Sequence, residues 1–297
     1  MSTLADAVVR TTVALAAAGV PSPAVDARWL VAAAAGVDPR TAPGRPLADA
    51  ESTLAALVAR RCHREPLQLV VGSTAFRTIE LRCRPGVFVP RPETEVLAGL
   101  AIDLVHAART LGRSPVVVHE PCTGSGAVGL AVASEVEGVS VLLADRSDAA
   151  FALATENRDL LASAGQLRAP VEVLKGHLLD AFARTAHPTP DVIVANPPYL
   201  PAADLADLDP EVVEHDPPAA LSGGDDGHEL VLELLARAGA VLAPGGAIAL
   251  EIDARRASEM CDAARRAGLV DVAACDDLTG APRFIVARRA GDGDTQR

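Results

Sequence analysis

The chain has 297 residues, 49% hydrophobic and 22% charged, which suits one large globular domain or one domain plus a smaller one. A net charge of -12 argues against non-specific nucleic-acid binding, which rests on Lys and Arg neutralising phosphates. Aromatic residues make up only 2%, so the core must be built from Ala, Val and Leu.

Residues 1–65 are Ala-rich with helical periodicity, broken at Gly19, Pro21, Gly36 and "PGRP" (43–46). This predicts a helical N-terminal domain of three or four short helices with Gly or Pro at their ends. The opening "MSTLADAVVRTTVALAAAGVP" is interrupted by Asp6 and Arg10, so it reads as an amphipathic helix and not as a signal peptide. No uncharged apolar run reaches the ~18 residues of a membrane span. "RRCHRE" (60–65) and "RRA" (265–267) read equally as local basic patches or as solvated helix faces.

Residues 66–90 contain "LQLVVG", "FRTIELRC" and "GVFVP", which read as strands of a β-hairpin linker. In this reading Arg77, Ile79, Leu81 and Cys83 share one face, and Phe76, Thr78, Glu80 and Arg82 the other. A helix follows, with Pro92 and Glu93 at its start, where a missing N–H is harmless and negative charge is favoured.

Residues 91–290 then alternate strand, turn and helix. Strands are predicted at 116–120, 139–145, 171–176, 191–196, 245–253, 270–275 and 283–288, with a helix over "LLDAFART" among the connections. The alternation implies a Rossmann-like, doubly wound sheet of seven strands. The last two strands are joined by "DDLTGAP" with no helix between, so the final strand should run antiparallel. Residues 291–297 read as a disordered tail.

The five cysteines form no C-x-x-C pair, so neither a disulfide framework nor a zinc cluster is expected, and reduced thiols suit the cytoplasm. The histidines lack metal-ligand spacing, so no metal is expected. His215 with Asp216 is no catalytic dyad, because nucleophile and oxyanion elements are missing. Cys122 reads as a small residue fitted to its turn. "DLADLDPEVVEHD" (204–216) reads as a solvated acidic loop or lid.

Two strand ends carry chemistry. "HEPCTGSGAVGL" (119–130) places Gly124, Gly126 and Gly129 in a G-x-G-x-x-G pattern between strand and helix. Such a turn lets a ligand approach the backbone closely. Asp145, 25 residues past Glu120, ends the next strand, where a carboxylate suits a ribose diol. NAD and S-adenosylmethionine both fit this pair. "DVIVANPPYL" (191–200) ends another strand in Asn196-Pro197-Pro198-Tyr199. Asn196 and Pro197 each precede a proline, which drives both toward extended geometry and stiffens the turn. The Asn196 side-chain carbonyl and the Pro197 backbone carbonyl can accept the two hydrogens of a planar –NH2 group, and Tyr199 can lie against its face.

Asn-Pro-Pro-Tyr after "EPCTGSG" resembles the amino-group methyltransferases that use S-adenosylmethionine. "REPLQLVVG" (64–72), "PGVFVPRPETEVL" (85–97) and "DPPAALSGGDDGHELV" (216–231) resemble, more narrowly, the protein-glutamine methyltransferases of the HemK/PrmC type, which act on translation release factors. The resemblance covers about residues 60–290 and implies the class I methyltransferase fold, S-adenosylmethionine as cofactor, and methyl transfer to a glutamine amide of a release factor. It implies that Glu120, Thr123, Gly124, Ser125, Gly126, Asp145, His177, Leu178 and Asn196 meet the cofactor. Asn196, Pro197 and Tyr199 would be catalytic; with Pro198, and with Arg91 and Glu93 from the element Phe88–Thr94, they would border the substrate. The N-terminal helices would recognise the protein. The chain departs from the family at Glu120-Pro121-Cys122, at "EHDP" (214–217) and at "EID" (251–253). An adenine-amino methyltransferase would use the same cradle, but it needs a basic target-binding region that the chain lacks. A divergent member of the family acting on another protein or on a small amide is a further alternative, whereas a dinucleotide enzyme would leave Asn-Pro-Pro-Tyr without a role. No membrane partner and no sequence-specific nucleic acid are expected.

Overall fold

The structure is a computed structural model that describes residues 2–183 and 187–291. The predicted tail lies outside the described residues apart from Gly291, and so does the end of the predicted "LLDAFART" helix. The described chain divides into two compact units: residues 2–74, 83–85 and 209–215 form the first, and residues 75–82, 86–183, 187–208 and 216–291 the second.

The first unit is helical. Helix α1 (Leu4–Ala17) starts at a capping box: the Thr3 hydroxyl accepts from the Asp6 N–H at 3.2 Å, and the Asp6 carboxylate accepts from the Thr3 N–H at 2.9 Å. Helix α2 (Pro23–Ala35) has proline in its first turn and ends at Gly36 in the left-handed region. Helix α3 (Glu51–Cys62) follows, and α4 (Leu67–Val71) occupies the run predicted as the first strand of the linker. Five apolar residues are too few for periodicity to separate strand from helix. Pro66 at the start and left-handed Gly72 at the end make it one turn of helix. Leu4, Leu15, Leu30, Val31, Leu54 and Val70 form this unit's core.

Strands β1 (Ser73–Phe76) and β2 (Ile79–Arg82) pair as a two-stranded sheet, and the boundary between the units falls within β1. The predicted hairpin is therefore real but short. "FRTIELRC" is split by a turn at Arg77, which has a φ of 49°. The turn puts Phe76 into the core along with Ile79, Leu81 and Cys83 while Arg77 is exposed, against the expected alternation. "GVFVP" forms no strand; it is irregular chain leading into the next helix.

Helix α5 (Thr94–Thr110) buries Thr94, Leu97, Ala98, Ala101, Val105 and Ala108, the spacing of one helical face. The strand–helix alternation then runs as predicted: β3 (Val116–Pro121), α6 (Ala127–Glu135), β4 (Val139–Asp145), α7 (Asp148–Ser163), β5 (Val171–Lys175), α8 (Asp180–Ala183) and β6 (Val192–Ala195). Two short helices, α9 (Pro210–His215) and α10 (Pro218–Leu221), precede α11 (Glu229–Val241), β7 (Ala247–Glu251), α12 (Ala257–Arg266), β8 (Leu269–Cys275) and β9 (Phe284–Arg289). Helix α9 belongs to the first unit, where Glu211 accepts from buried Arg61 at 2.8 Å and from Arg64 at 2.9 Å. The acidic run is thus partly a structural helix.

The seven-stranded sheet has the order β5-β4-β3-β6-β7-β9-β8, parallel except for β9, which pairs antiparallel with both β7 and β8. Strands β3, β6 and β7 are buried along their full lengths, which is why β6 and the first residues of β3 and β7 read as apolar runs. The strand order reverses between β3 and β6, the place where open parallel sheets bind ligands. Pairing there stops at His119↔Ile193, two residues short of the carboxyl end of each strand. Both motif-bearing turns leave from those ends, where β3 and β6 no longer pair with each other.

Candidate active site

The Gly-rich turn is fixed by acceptors from its own neighbourhood. The Gly124 N–H donates to Asp145 Oδ2 at 3.0 Å, and the Gly129 N–H to Glu120 Oε2 at 2.7 Å. Asn157 on α7 donates to the Ser125 carbonyl at 2.9 Å, a role with no sequence signature. Gly124 and Gly126 have φ of 57° and 86°, which side chains rarely adopt. A Cβ at Gly124 would meet nothing within 4 Å, so the backbone faces open space on the ligand side. The Thr123 hydroxyl is buried near the Glu120 carboxyl without a sound hydrogen bond among the described residues. Asp145, half-buried, also accepts from Ser147 N–H at 2.9 Å, and each of its oxygens retains lone-pair capacity for a diol. These groups fit an adenosyl cofactor.

The structure brings Thr123, Gly124, Ser125, Gly126 and Asp145 together. Glu120 is turned inward onto the start of α6, and burial pushes its carboxyl up to about 8, opposed by the Gly129 N–H. His177 is half-exposed, with Nε2 3.7 Å from Glu233. The Leu178 side chain is buried in the core at a φ of 41°, which leaves its backbone as the part able to meet a ligand. Burial likewise pushes up the Cys122 thiol.

The Asn-Pro-Pro-Tyr turn is fixed differently, because prolines offer no N–H. The Leu200 N–H donates to the Leu221 carbonyl and the Gly223 N–H to the Leu200 carbonyl, each at 3.0 Å. A Cβ at Gly223 would strike the carbonyl oxygens of Gly227 and Pro198. Segment 221–227 is therefore a backbone brace that only glycine allows, and it explains the "SGGDDG" stretch. The side chains at the ends of the turn converge on Glu251, which is buried at the end of β7. The Tyr199 hydroxyl donates to Glu251 Oε1 at 3.1 Å, and the Thr94 hydroxyl to Oε2 at 2.9 Å. Asn196 Nδ2 donates to Thr94 Oγ1 at 3.3 Å. Burial raises the carboxyl of Glu251, opposed by Thr94, Tyr199 and the charge of Arg283 and reinforced by Glu93. Arg91 pairs with buried Asp216 and lies over the Phe88 ring, 4.9 Å from its centroid. Glu93 caps α5.

A family model described as the PrmC N-terminal domain matches residues 6–72. The release factor glutamine methyltransferase of Streptomyces coelicolor is 38% identical over 291 residues, covering 98% of this chain and 99% of that protein. The chain belongs to the release factor glutamine methyltransferase family. The enzyme of the same name from Mycolicibacterium smegmatis is 40% identical over 300 residues, covering 97% of this chain and 99% of its own length. That from Deinococcus radiodurans is 38% identical over 293 residues, with coverages of 97% and 99%. The departures at Glu120, "EHDP" and "EID" thus fall within a family member matched along its whole length. In the sequence Glu251 stands out only as a departure from the family pattern. Its link to Thr94 and Tyr199 needed the fold, although all three lie in segments whose motifs had been singled out. No group of His, Cys, Asp and Glu among the described residues could hold a metal.

Proposed function

We propose that this chain transfers a methyl group from S-adenosylmethionine to the side-chain amide nitrogen of a glutamine in a translation release factor. The observation that carries the reading is the Asn-Pro-Pro-Tyr turn, held rigid at the switch point beside the Gly-rich turn, in a chain matched end to end by release factor glutamine methyltransferases. When bound, the cofactor supplies an electrophilic methyl on a sulfonium. The Gly124 and Gly126 backbone would hold its methionine part and Asp145 its ribose hydroxyls. An amide nitrogen is a poor nucleophile because its lone pair is delocalised into the carbonyl. Its rate must therefore come from alignment, which supplies about 7–11 kcal/mol in favourable cases. Asn196 Oδ1 and the Pro197 carbonyl would accept the two N–H groups, and these bonds strengthen as positive charge develops on nitrogen. Tyr199, tied through its hydroxyl to Glu251, would present its ring to the amide plane. No base is needed first, because the cationic nitrogen loses its proton readily to water.

The helical first unit would recognise the protein. Exposed Val9 and Val13 on α1 and Val25 and Trp29 on α2, each pair one helical turn apart, support that role. Action on a protein of translation, in the cytoplasm, also accords with the acidic chain. No helix among the described residues is long and apolar enough to cross a membrane.

The test uses labelled S-adenosylmethionine and a purified release factor. Wild type should label one glutamine. Asn196→Ala should lower kcat and kcat/KM together by roughly 10²–10³-fold while cofactor affinity holds. Wild-type turnover in that variant would remove Asn196 from the mechanism. Label on nucleic acid, and none on the release factor, would favour the adenine-amino reading.

A further inference from the structure

We infer that Thr94, oriented by Glu251, is the positioning residue that fixes which way the Asn196 amide faces. The inference rests on the reading of Asn196 as part of the amide cradle. An asparagine is nearly symmetric in shape, so packing alone does not distinguish its oxygen from its nitrogen. A cradle that needs an acceptor must therefore be told which end to present, and hydrogen-bond polarity is the available instrument.

The polarity runs from Glu251 outward. Glu251 receives the hydroxyls of Thr94 and Tyr199, one on each oxygen, with the Arg283 charge favouring its ionised form, and a carboxylate so held only accepts. Thr94 Oγ1, 2.9 Å from Glu251 Oε2, must then spend its single proton on that carboxylate. What remains on Oγ1 is lone pairs, so the group facing it at 3.3 Å must be a donor. That group is Nδ2 of Asn196. Oδ1 is consequently aimed away from Thr94. Tyr199 donates to the other oxygen of the same carboxylate, so one buried charge sets both side chains at the ends of the turn. Glu251 is 2% exposed and Thr94 4% exposed, so bulk water does not compete for either bond. A neutral Thr94 substitute would leave the amide free to flip. Its Nδ2 would then point at the substrate –NH2, donor against donor.

The experiment measures methyl transfer to a release factor and cofactor binding by calorimetry, in wild type, Thr94→Val, Thr94→Ser, Asn196→Ala and the double variant Thr94→Val/Asn196→Ala. Valine keeps the shape and removes the hydroxyl. Expected is a fall in kcat of about 10- to 100-fold, with KM and cofactor Kd within about twofold, since misalignment costs rate and not ground-state binding. Serine, which keeps the hydroxyl, should restore most of the lost rate. The double variant should be no slower than Asn196→Ala alone, because Thr94 acts only through that side chain. Multiplying losses in the double variant, or failure of serine to restore the rate, would overturn the inference. Should Thr94→Val not fold, Glu251→Gln replaces it: the amide of glutamine no longer dictates the direction of the Thr94 proton, and the same non-additivity with Asn196→Ala is expected. Release-factor turnover by wild type with an unchanged rate in Thr94→Val would sink this inference alone. No turnover by wild type would sink the functional reading along with it.

Discussion

Two turns leave adjacent strands of one sheet, and they are built on opposite principles. After β3 the chain is glycine-rich; its backbone N–H groups are free to be captured, and Asp145, Glu120 and the region around Asn157 capture the turn from 21, 9 and 32 residues away. After β6 the chain is proline-rich and offers no N–H at Pro197 or Pro198. It must be held by side chains at its ends and by a second stretch of backbone laid along it. The side-chain partners are remote, with Thr94 102 residues from Asn196 and 157 from Glu251, while the bracing backbone comes from Leu221 and Gly223. A turn that must yield its backbone to a ligand is thus secured locally, whereas a turn that must stay stiff is secured by the tertiary structure.

The largest test of that contrast substitutes alanine at one glycine in each region. Gly223→Ala forces a methyl group against two backbone carbonyls that have no side-chain freedom to withdraw. Stability should fall by about 3 kcal/mol or more, at the upper end of overpacking costs, and turnover should be lost with the brace. Gly124→Ala meets open space and suffers only its left-handed backbone, a cost of about 1–2 kcal/mol. Cofactor affinity should respond in the opposite order, falling more in Gly124→Ala. Denaturant unfolding and calorimetry on both variants check the pair of orderings, and equal stability losses would mean that the brace does not hold the proline turn.

Next in size is Asp145→Ala, which strips the local capture from the glycine turn. It removes acceptors from Gly124 N–H and Ser147 N–H and one proposed partner of the ribose hydroxyls. S-adenosylmethionine affinity should drop by about 1.5–3 kcal/mol per charged hydrogen bond lost. Asp145→Asn keeps an oxygen for Gly124 and should recover part of that loss. An unchanged Kd in the alanine variant would take Asp145 out of the cofactor site.

The same local-versus-remote division decides what could be read from the sequence. Strands such as Val192–Ala195 announce themselves because burial on both faces leaves only apolar residues between Pro/Gly punctuation. Gly124, Asp145 and Asn196 are legible for a related reason: each sits in a short motif at a strand end. Leu67–Val71 misleads because an apolar pentapeptide has no period to read, and the split of the hairpin at Arg77 depends on a backbone angle that arginine does not advertise. Asn157 and the convergence of Thr94, Asn196 and Tyr199 on Glu251 are illegible, since nothing along a chain records which residues a sheet will bring together. The glycines of 223–227 were visible as a pattern; their reason, the carbonyls of Gly227 and Pro198, was not.

The smallest expected effect separates the two turns by pH. Each ends on a buried carboxyl that burial raises: Glu120 beneath the glycine turn, to about 8, and Glu251 beneath the proline turn. A carboxyl whose folded value lies above its unfolded value, near 4.5, favours the folded state while protonated, and that contribution is lost as pH rises through the folded value. His119, on the same strand as Glu120, works in reverse. Burial, with the charge of His187, lowers it from 6.5 to about 4, so the unfolded chain binds the extra proton and stability rises with pH between those values. From 4.5 to 6.5 the two residues offset each other; from 6.5 to 8 Glu120 acts without that opposition. Stability of the cofactor-free protein should therefore decline across pH 6.5–8, by at most about 1.4 kcal/mol per pH unit for one proton. Glu120→Gln retains an acceptor for the Gly129 N–H and cannot ionise, so it should flatten that decline. Urea unfolding at half-unit pH steps measures it. An unchanged slope in Glu120→Gln would mean that the carboxyl under the glycine turn is already ionised in the folded chain, and that its single N–H partner outweighs its burial.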